Sequence, residues 1–370
     1  MLAVIDYLST IEDPRAQDKV EYPLSTLLFI SICAIFCSAE GWEDIVLFAS
    51  TRREWLSQYV DMSKGIPSYS TFRRLFSIVE PTEWSKLIEG ALGLVMKDRK
   101  SEDQIAIDGK SLRGSRCASK ELRAIQMVSA WSFSNKLVLA DTSTDSKSNE
   151  IKAIPLLLEL LSLDGCTISI DAIGCQAEIL KMIVKKGGDF VIGLKKNQPS
   201  LYNAVLEHHQ NFGENLDNLI HDEWDESHGR LVRRRYFAYT LPEEISPGSL
   251  EGIKSIIATE TISSKKHERK VSAEWRFYVT SHDTSKENLH SYVKNHWSIE
   301  NELHWHLDVH LNDDGDRKRD EVAAVNFSRI KRMLLGLVKT KIPPGKKRSV
   351  RSRLKQVAWD TDYLISLLSA

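Results

Sequence analysis

Two short apolar runs each deliver an aspartate at the point where the run breaks: Ile105-Ala106-Ile107-Asp108 before Gly109, and Ile168-Ser169-Ile170-Asp171 before Ala172. Runs of this length, rich in isoleucine and bounded by turn residues, read as buried strands. Around them the texture alternates. Residues 104–108 read as a strand, 126–133 and 137–141 as a hairpin about Ser134-Asn135, 149–161 as a helix, 167–171 as a strand, 176–186 as a helix and 189–194 as a third buried strand. Strands first, then strand and helix in alternation, predict an α/β fold with a mixed sheet. Groups at the carboxyl ends of strands in such a sheet line the crevice where ligands bind. Asp108 and Asp171 are therefore the first candidate site residues.

The segment before this sheet has a different period. From Pro23 to about Asp98 the spacing is helical: Pro23 opens a helix that Gly41 closes, Trp42 to Tyr59 follows, Ser70 caps a short helix containing Phe72, Leu75 and Phe76, and a last helix runs from Thr82 to about Met96. Residues 1–98 thus read as a small all-helical N-terminal domain, and 99–370 as the α/β domain. Within the latter, residues 201–283 lose the helix-strand alternation and become β-rich, which marks an insertion. Helical spacing resumes near Lys286.

Net charge is −1 over 370 residues, without the overall basic excess of a dedicated nucleic-acid-binding domain. The distribution says more. Between Arg317 and Lys355 fourteen basic residues face only Asp320 and Glu321, so 317–355 is a basic C-terminal region. Five cysteines, an odd count with no CxxC pair, argue against a disulfide framework or a zinc knuckle and favour a reduced, cytoplasmic setting. The apolar stretch from Leu24 to Ala39 is shorter than the ~20 residues of a membrane span. It also lacks a preceding basic region and a cleavage site. It reads as a core helix, and no membrane association is expected.

Two carboxylates from adjacent strands repel unless a cation neutralises them, and hard oxygen ligands suit Mg²⁺ or Mn²⁺. An aspartate beside a glycine is also a common turn residue. The third carboxylate is Glu300. Leu289, Val293, His296, Glu300, Leu303 and Leu307 share one helical face, which puts Glu300 in the stripe expected to pack on the sheet, while Glu302 lies off it and reads as solvated. A buried carboxylate needs a metal or a partner, and a salt bridge to Lys110 is the competing explanation. His306 and His310 have the spacing of a helical zinc pair, without the HExxH pattern. Trp297 and Trp305 could stack on unpaired bases or belong to the core. Arg230, Arg233, Arg234 and Arg235 make a basic turn in the insertion, suited to phosphate contact or to a solvated edge strand. Arg73 and Arg74 on the short helix allow a similar choice.

Taken together these segments resemble the H-repeat-associated transposases of bacterial insertion sequences, a branch of the DDE transposases. The resemblance runs in order through Asp13-Pro14-Arg15, Gly41-Trp42-Glu43-Asp44, Gly65-Ile66-Pro67-Ser68, Ile107-Asp108-Gly109-Lys110, Ser148-Asn149-Glu150-Ile151, Ile170-Asp171-Ala172-Ile173-Gly174-Cys175-Gln176, Lys195-Lys196-Asn197-Gln198-Pro199, His228-Gly229-Arg230 and His296-Trp297-Ser298-Ile299-Glu300-Asn301. It implies an RNase H-like catalytic core with a β-rich insertion before the helix of the third acid. Asp108, Asp171 and Glu300 become the acidic triad, holding two Mg²⁺ or Mn²⁺ ions for DNA cleavage and strand transfer at the element's ends. The partner implied is double-stranded DNA with terminal inverted repeats, bound by a homodimer. Lys110, Arg230, Arg233, Arg235, Arg317, Arg319, Lys346, Lys347 and Arg348 are the candidate DNA contacts. Around the third acid the wider group carries a Tyr, Arg, Glu, Lys series. Here His296 and Leu307 replace the Arg and the Lys, and Tyr292 is one residue out of register. The alternatives are an inactive or repurposed DNA-binding relative, or a small-substrate metal hydrolase with a compact apolar pocket.

Overall fold

A helix buried on every side needs neighbours on every side. That is the situation of α1 (Leu24–Phe36), in which every residue but Ser25 is buried. The computed structural model describes residues 7–16, 18, 20–84, 102–117, 119, 121–144, 149–227, 230–265, 271–342 and 348–369. Around α1 pack α2 (Trp42–Thr51), the single turn α3 (Arg53–Leu56) and α4 (Tyr69–Ile78). Gly41 does not close α1. That helix ends at Phe36, with Ser38 in the left-handed region (φ 74°), and Gly41 opens α2, where the Asp44 carboxylate accepts the N–H groups of Gly41 and Glu40. Ser68 rather than Ser70 caps α4, accepting from the Thr71 N–H. Most of the helix expected over 82–96 lies outside the described residues.

The sheet begins with β1 (Gln104–Leu112), β2 (Ile125–Ser132) and β3 (Leu137–Thr144). It continues through α5 (Glu150–Leu160), β4 (Thr167–Ile170), α6 (Ala177–Lys185) and β5 (Asp189–Leu194). β1, β2 and β3 pair antiparallel, and β1, β4 and β5 pair parallel. The resulting order, β3-β2-β1-β4-β5, is the RNase H-like arrangement that the resemblance implies. Next come α7 (Pro199–His208), then β6 (Leu219–Ser227), β7 (Arg230–Thr240), β8 (Ser255–Lys265) and β9 (Val271–Thr280). The expected β-rich insertion thus opens with a helix. Its strands extend the same sheet, because β9 pairs antiparallel with β5 from Val191↔Thr280 to Leu194↔Phe277 and the order runs on as β9-β8-β7-β6.

The chain then forms α8 (Leu289–His296), a π-helical turn over Ile299–His304, α9 (Trp305–Leu311), α10 (Glu321–Thr340), α11 (Val350–Trp359) and α12 (Thr361–Leu368). The N-terminal helices share one apolar cluster with α10, α11 and α12 and with Trp131, Ile299, Leu303 and Leu307. Asn326 in α10 fastens α4 to it, donating from Nδ2 to the carbonyls of Phe76 and Val79 at 3.0 and 2.8 Å. The opposite face of the sheet is covered by α5, α6 and α7 over a second cluster that runs from Ile105 and Ile168 into Phe237 and Phe277 of the insertion. No helix among the described residues is long and apolar enough to cross a membrane, and the five cysteines form no disulfide among the described residues.

Candidate active site

Asp108 does not end its strand. The parallel pairing of β1 with β4 stops at Ile107↔Ile170, while β1 continues along β2 through Asp108↔Ser129 to Leu112↔Ile125. Beyond Ile170 the chain leaves the sheet, and the Asp171 carboxylate caps the next turn by accepting the Ile173 N–H at 3.0 Å. The two acids therefore stand beside the gap that β4 opens. Two side chains of the Lys195–Pro199 segment hold this turn: Asn197 Nδ2 donates to the Ala172 carbonyl at 2.7 Å, and Gln198 Nε2 to the Cys175 carbonyl at 2.8 Å. Beneath it, Gln104 donates to Ser169 Oγ (2.9 Å) and to the Tyr292 carbonyl (2.7 Å), and His296 Nδ1 contacts the same Ser169 Oγ at 3.2 Å.

Glu300 reaches the site by a route the helical stripe does not predict. The π-helical turn shifts the register, so that Ile299 and Leu303 take the inward positions and Glu300 is exposed. Its carboxylate lines, with Asp108 and Asp171, one cavity of about 420 Å³ that also includes Lys195, Arg276 and Trp297. Glu302, read as solvated, is half-buried and bonded to Lys136 at 2.8 Å.

Burial pushes Asp108 up to about 7, with the Gly109 backbone pulling it down and Glu300, Asp171 and Glu150 adding repulsion. Partial enclosure of its carboxyl group likewise raises Glu300, against Arg276 and with Asp171. Glu150 is a fourth carboxylate that sequence reasoning missed. It is buried at the start of α5, and a Cβ on Gly109 would come within 2.7 Å of its Cδ and Oε1. Only glycine lets it lie so close to β1. Its position at a helix start in Ser148-Asn149-Glu150-Ile151 was the available signal. Burial holds His296 down at about 4 and His304 at about 3, so both rings are neutral near pH 7. His304 Nδ1 lies 3.5 Å from Asp108 Oδ2. Among the described residues no three His, Cys, Asp or Glu side chains are grouped closely enough to hold a metal ion as they stand.

The expected DNA contacts scatter. Lys110 is buried, ion-paired with Asp308 at 2.6 Å and hydrogen-bonded to Asp314 at 2.9 Å, so it offers no free ammonium to a phosphate and is no partner of Glu300. Arg233 pairs with Asp222 (2.6 Å) and Arg235 with Glu260 (2.5 Å) across neighbouring strands, while Arg230 is exposed. Arg317 and Arg319 are exposed in a surface notch that also holds Arg73, with Arg319 donating to the Gly114 carbonyl. Arg348 donates to Gln356 at 2.6 Å, and Lys346 and Lys347 lie outside the described residues. Much of the basic C-terminal region faces inward. Arg329, Lys331, Arg332 and Arg353 are buried, with Arg329 paired to Asp141 at 2.5 Å and Lys331 to Asp313 at 3.7 Å. These partners come from distant sequence, so a local charge surplus was not a surface charge surplus.

The cations that do meet the acids are Lys195 and Arg276. Arg276 is bonded to Glu274 at 2.9 Å, and its guanidinium lies over the Trp297 ring at 5.2 Å from the centroid. A second cavity of about 450 Å³ shares Glu274, Arg276, Tyr278 and Trp297 with the first and adds Arg234 and Lys294. The period of two along β7 explains the division: Arg233 and Arg235 share one face, and Arg234 faces the cleft.

The geometry agrees with what the chain is similar to. Residues 99–335 match the family described as "Transposase DDE domain", and residues 5–89 match "DDE_Tnp_1-associated". The H repeat-associated putative transposase YhhI of Escherichia coli (strain K12) is 36% identical, covering 99% of this chain and 97% of that protein. The putative transposase YncI of Escherichia coli O157:H7 is 36% identical over 100% of this chain and 95% of its own length. A shorter relative called inactive transposase YbfQ, from strain K12, is 40% identical over 20% of this chain. With this family's domain over residues 99–335 and its associated domain before it, the chain belongs to the DDE transposase family.

Proposed function

We propose that this insertion-sequence transposase cleaves DNA at the element's terminal inverted repeats and transfers the freed strand, using divalent ions held by Asp108, Asp171 and Glu300. The observation that carries the reading is the convergence of three carboxylates, from three remote segments, on one cavity that also presents Lys195 and Arg276. DDE transposases generally use divalent metal ions. The donor set fits in kind: all three groups are hard oxygen ligands, and the repulsion and burial that raise Asp108 are relieved when a cation is shared among them. Asp108, Asp171 and Glu300 would hold the ions, which supply Lewis acidity toward a phosphoryl oxygen and the attacking hydroxyl.

The chain's own residues account for the rest. Asn197 and Gln198 fix the turn that aims Asp171, and the Ser169, Gln104 and His296 contacts tie α8 to the two acid-bearing strands. Lys195 and Arg276 offset phosphate charge, and the exposed Trp297 offers a ring face beside the scissile position. Two Mg²⁺ or Mn²⁺ ions and two protein copies on paired ends belong to the same reading. The purified protein is incubated with duplexes carrying the element's ends and Mg²⁺, beside Asp108→Asn. Cleavage by the wild type alone is expected. Equal cleavage by both overturns the assignment, and DNA binding without cleavage by either turns the chain into a repurposed binder.

A further inference from the structure

Glu300, His304 and Asp308 are spaced four residues apart on the π-helical turn and α9, and the last two face β1. His304 Nδ1 lies 3.5 Å from Asp108 Oδ2, and Asp308 Oδ1 lies 2.6 Å from Lys110 Nζ. Lys110 follows Asp108 by two residues on the strand, so the two contacts are successive rungs on one face. A further carboxylate closes on the same ammonium: Asp314 accepts from Lys110 at 2.9 Å. It arrives on a loop packed hard against the turn that follows the strand, since a Cβ on Gly114 would run into the carbonyl oxygens of Asp316 and Asp314.

The other contacts of this helix with the core are apolar, through Ile299, Leu303, Leu307 and Leu311, apart from Glu302 in the first turn, a half-buried carboxylate that pairs with Lys136 and Lys339. Apolar burial is non-directional and leaves sliding inexpensive. A buried ion pair does not, and fixing register is its best-attested use. We propose that Lys110 is a positioning residue, whose pairing with Asp308 and Asp314 sets the register of the Glu300 helix against the Asp108 strand. The separation of the first and third acids is then fixed at the protein–protein contact, without Lys110 touching DNA. The proposal rests on the reading of the triad as a metal site.

The test uses the whole chain with two readouts: the Mn²⁺ concentration giving half the maximal thermal shift without DNA, and affinity for a nonspecific duplex in EDTA. Lys110→Met and Asp308→Asn are both expected to raise the half-saturating Mn²⁺ concentration about tenfold or more, as loss of outer-shell support does. DNA affinity in EDTA should stay within about twofold of wild type. If Lys110→Met does not fold, Asp308→Asn carries the test, because Lys110 keeps Asp314. The proposal is overturned if both variants keep the wild-type Mn²⁺ response. It is equally overturned if Lys110→Met alone loses DNA affinity, which makes that lysine a phosphate contact. Asp171→Asn tests the underlying reading separately: an Mn²⁺ response that survives this change, or is missing from the wild type, overturns the metal site itself.

Discussion

The two halves of the nine-stranded sheet are built on opposite rules. In β1 to β5 the two strands flanking β1 are buried along their length, every residue of β2 and β4 being inside, with the helices of the two apolar clusters on either face. In β6 to β9 the strands are nine to eleven residues long. Their inner face carries Phe237, Tyr239, Phe277 and Val279; on the other face Tyr236, Ala238 and Ile257 pack on Leu289 and Val293 of α8, and Arg234, Glu274 and Arg276 line the cleft. The acids sit where the first half opens at β4; Lys195 reaches the cleft from just after β5, and Arg234 and Arg276 reach it from the extension. Groups that must meet within ångströms are held by packing from both sides. Groups that attract a long polyanion act at longer range and tolerate exposure.

The comparison is broken most sharply at the acids. Asp171→Asn should lower Mg²⁺-dependent cleavage by at least about a thousandfold while leaving duplex affinity in EDTA near wild type. A loss of binding equal to the loss of rate would place the acids in the gripping half. Next comes the support of the covered half. Asn197→Ala removes the bond to the Ala172 carbonyl and should weaken Mn²⁺ affinity about tenfold or more, read by calorimetry, for about 1 kcal/mol of stability. The charge at the cleft is tested by a pair of cations, one lining it and one on the other face of the extension. Lys195→Ala should reduce the slope of log affinity against log salt by about one, and Arg233→Ala, whose partner is Asp222, should leave it unchanged.

The smallest expected effect lies inside the extension. His209 is buried among Tyr239, Trp275 and Phe277, and both ring nitrogens lack a partner among the described residues. Burial, then His208, holds it down at about 4. The folded state therefore keeps this ring neutral while the unfolded chain, near 6.5, takes up a proton first. Its contribution to stability is full above about pH 6.5 and is lost as pH falls toward 4. His209→Phe should match wild type at pH 8 and melt about 2 °C or more higher at pH 5. An equal acid dependence in both proteins would assign it to other groups.

Local pattern made the covered half legible. The helices after β3 and β4 and the strand 189–194 fall within a residue or two of their expected places, and the hairpin about Ser134-Asn135 within three, because period and turn residues are short-range signals. Residues 201–283 read correctly as β-rich, but their fusion into one sheet through β5 and β9 did not show, since register between remote strands leaves no local trace. Glu300 was picked out by motif and misplaced by periodicity, because the chain through Trp297 and the π-helical turn brings Ile299 inward in its place, while Leu303 and Leu307 keep the inward positions of the stripe. Lys110 and the charges of α10 were misjudged for one shared reason: their partners, Asp308, Asp314, Asp141 and Asp313, lie far along the chain or on another face.

By itself the sequence determined which segments are strands and helices, which three carboxylates are candidates for the chemistry, and that a long insertion separates the second from the third. Tertiary structure alone decided that Asp108 stands mid-strand at the gap left by β4, that Glu150 lies against Gly109, and which cations face the cleft. The physical reason is range. Hydrophobic periodicity and capping are written over a few residues, whereas the neutralisation of a charge and the aim of a carboxylate depend on side chains brought together only when the sheet and its helices close.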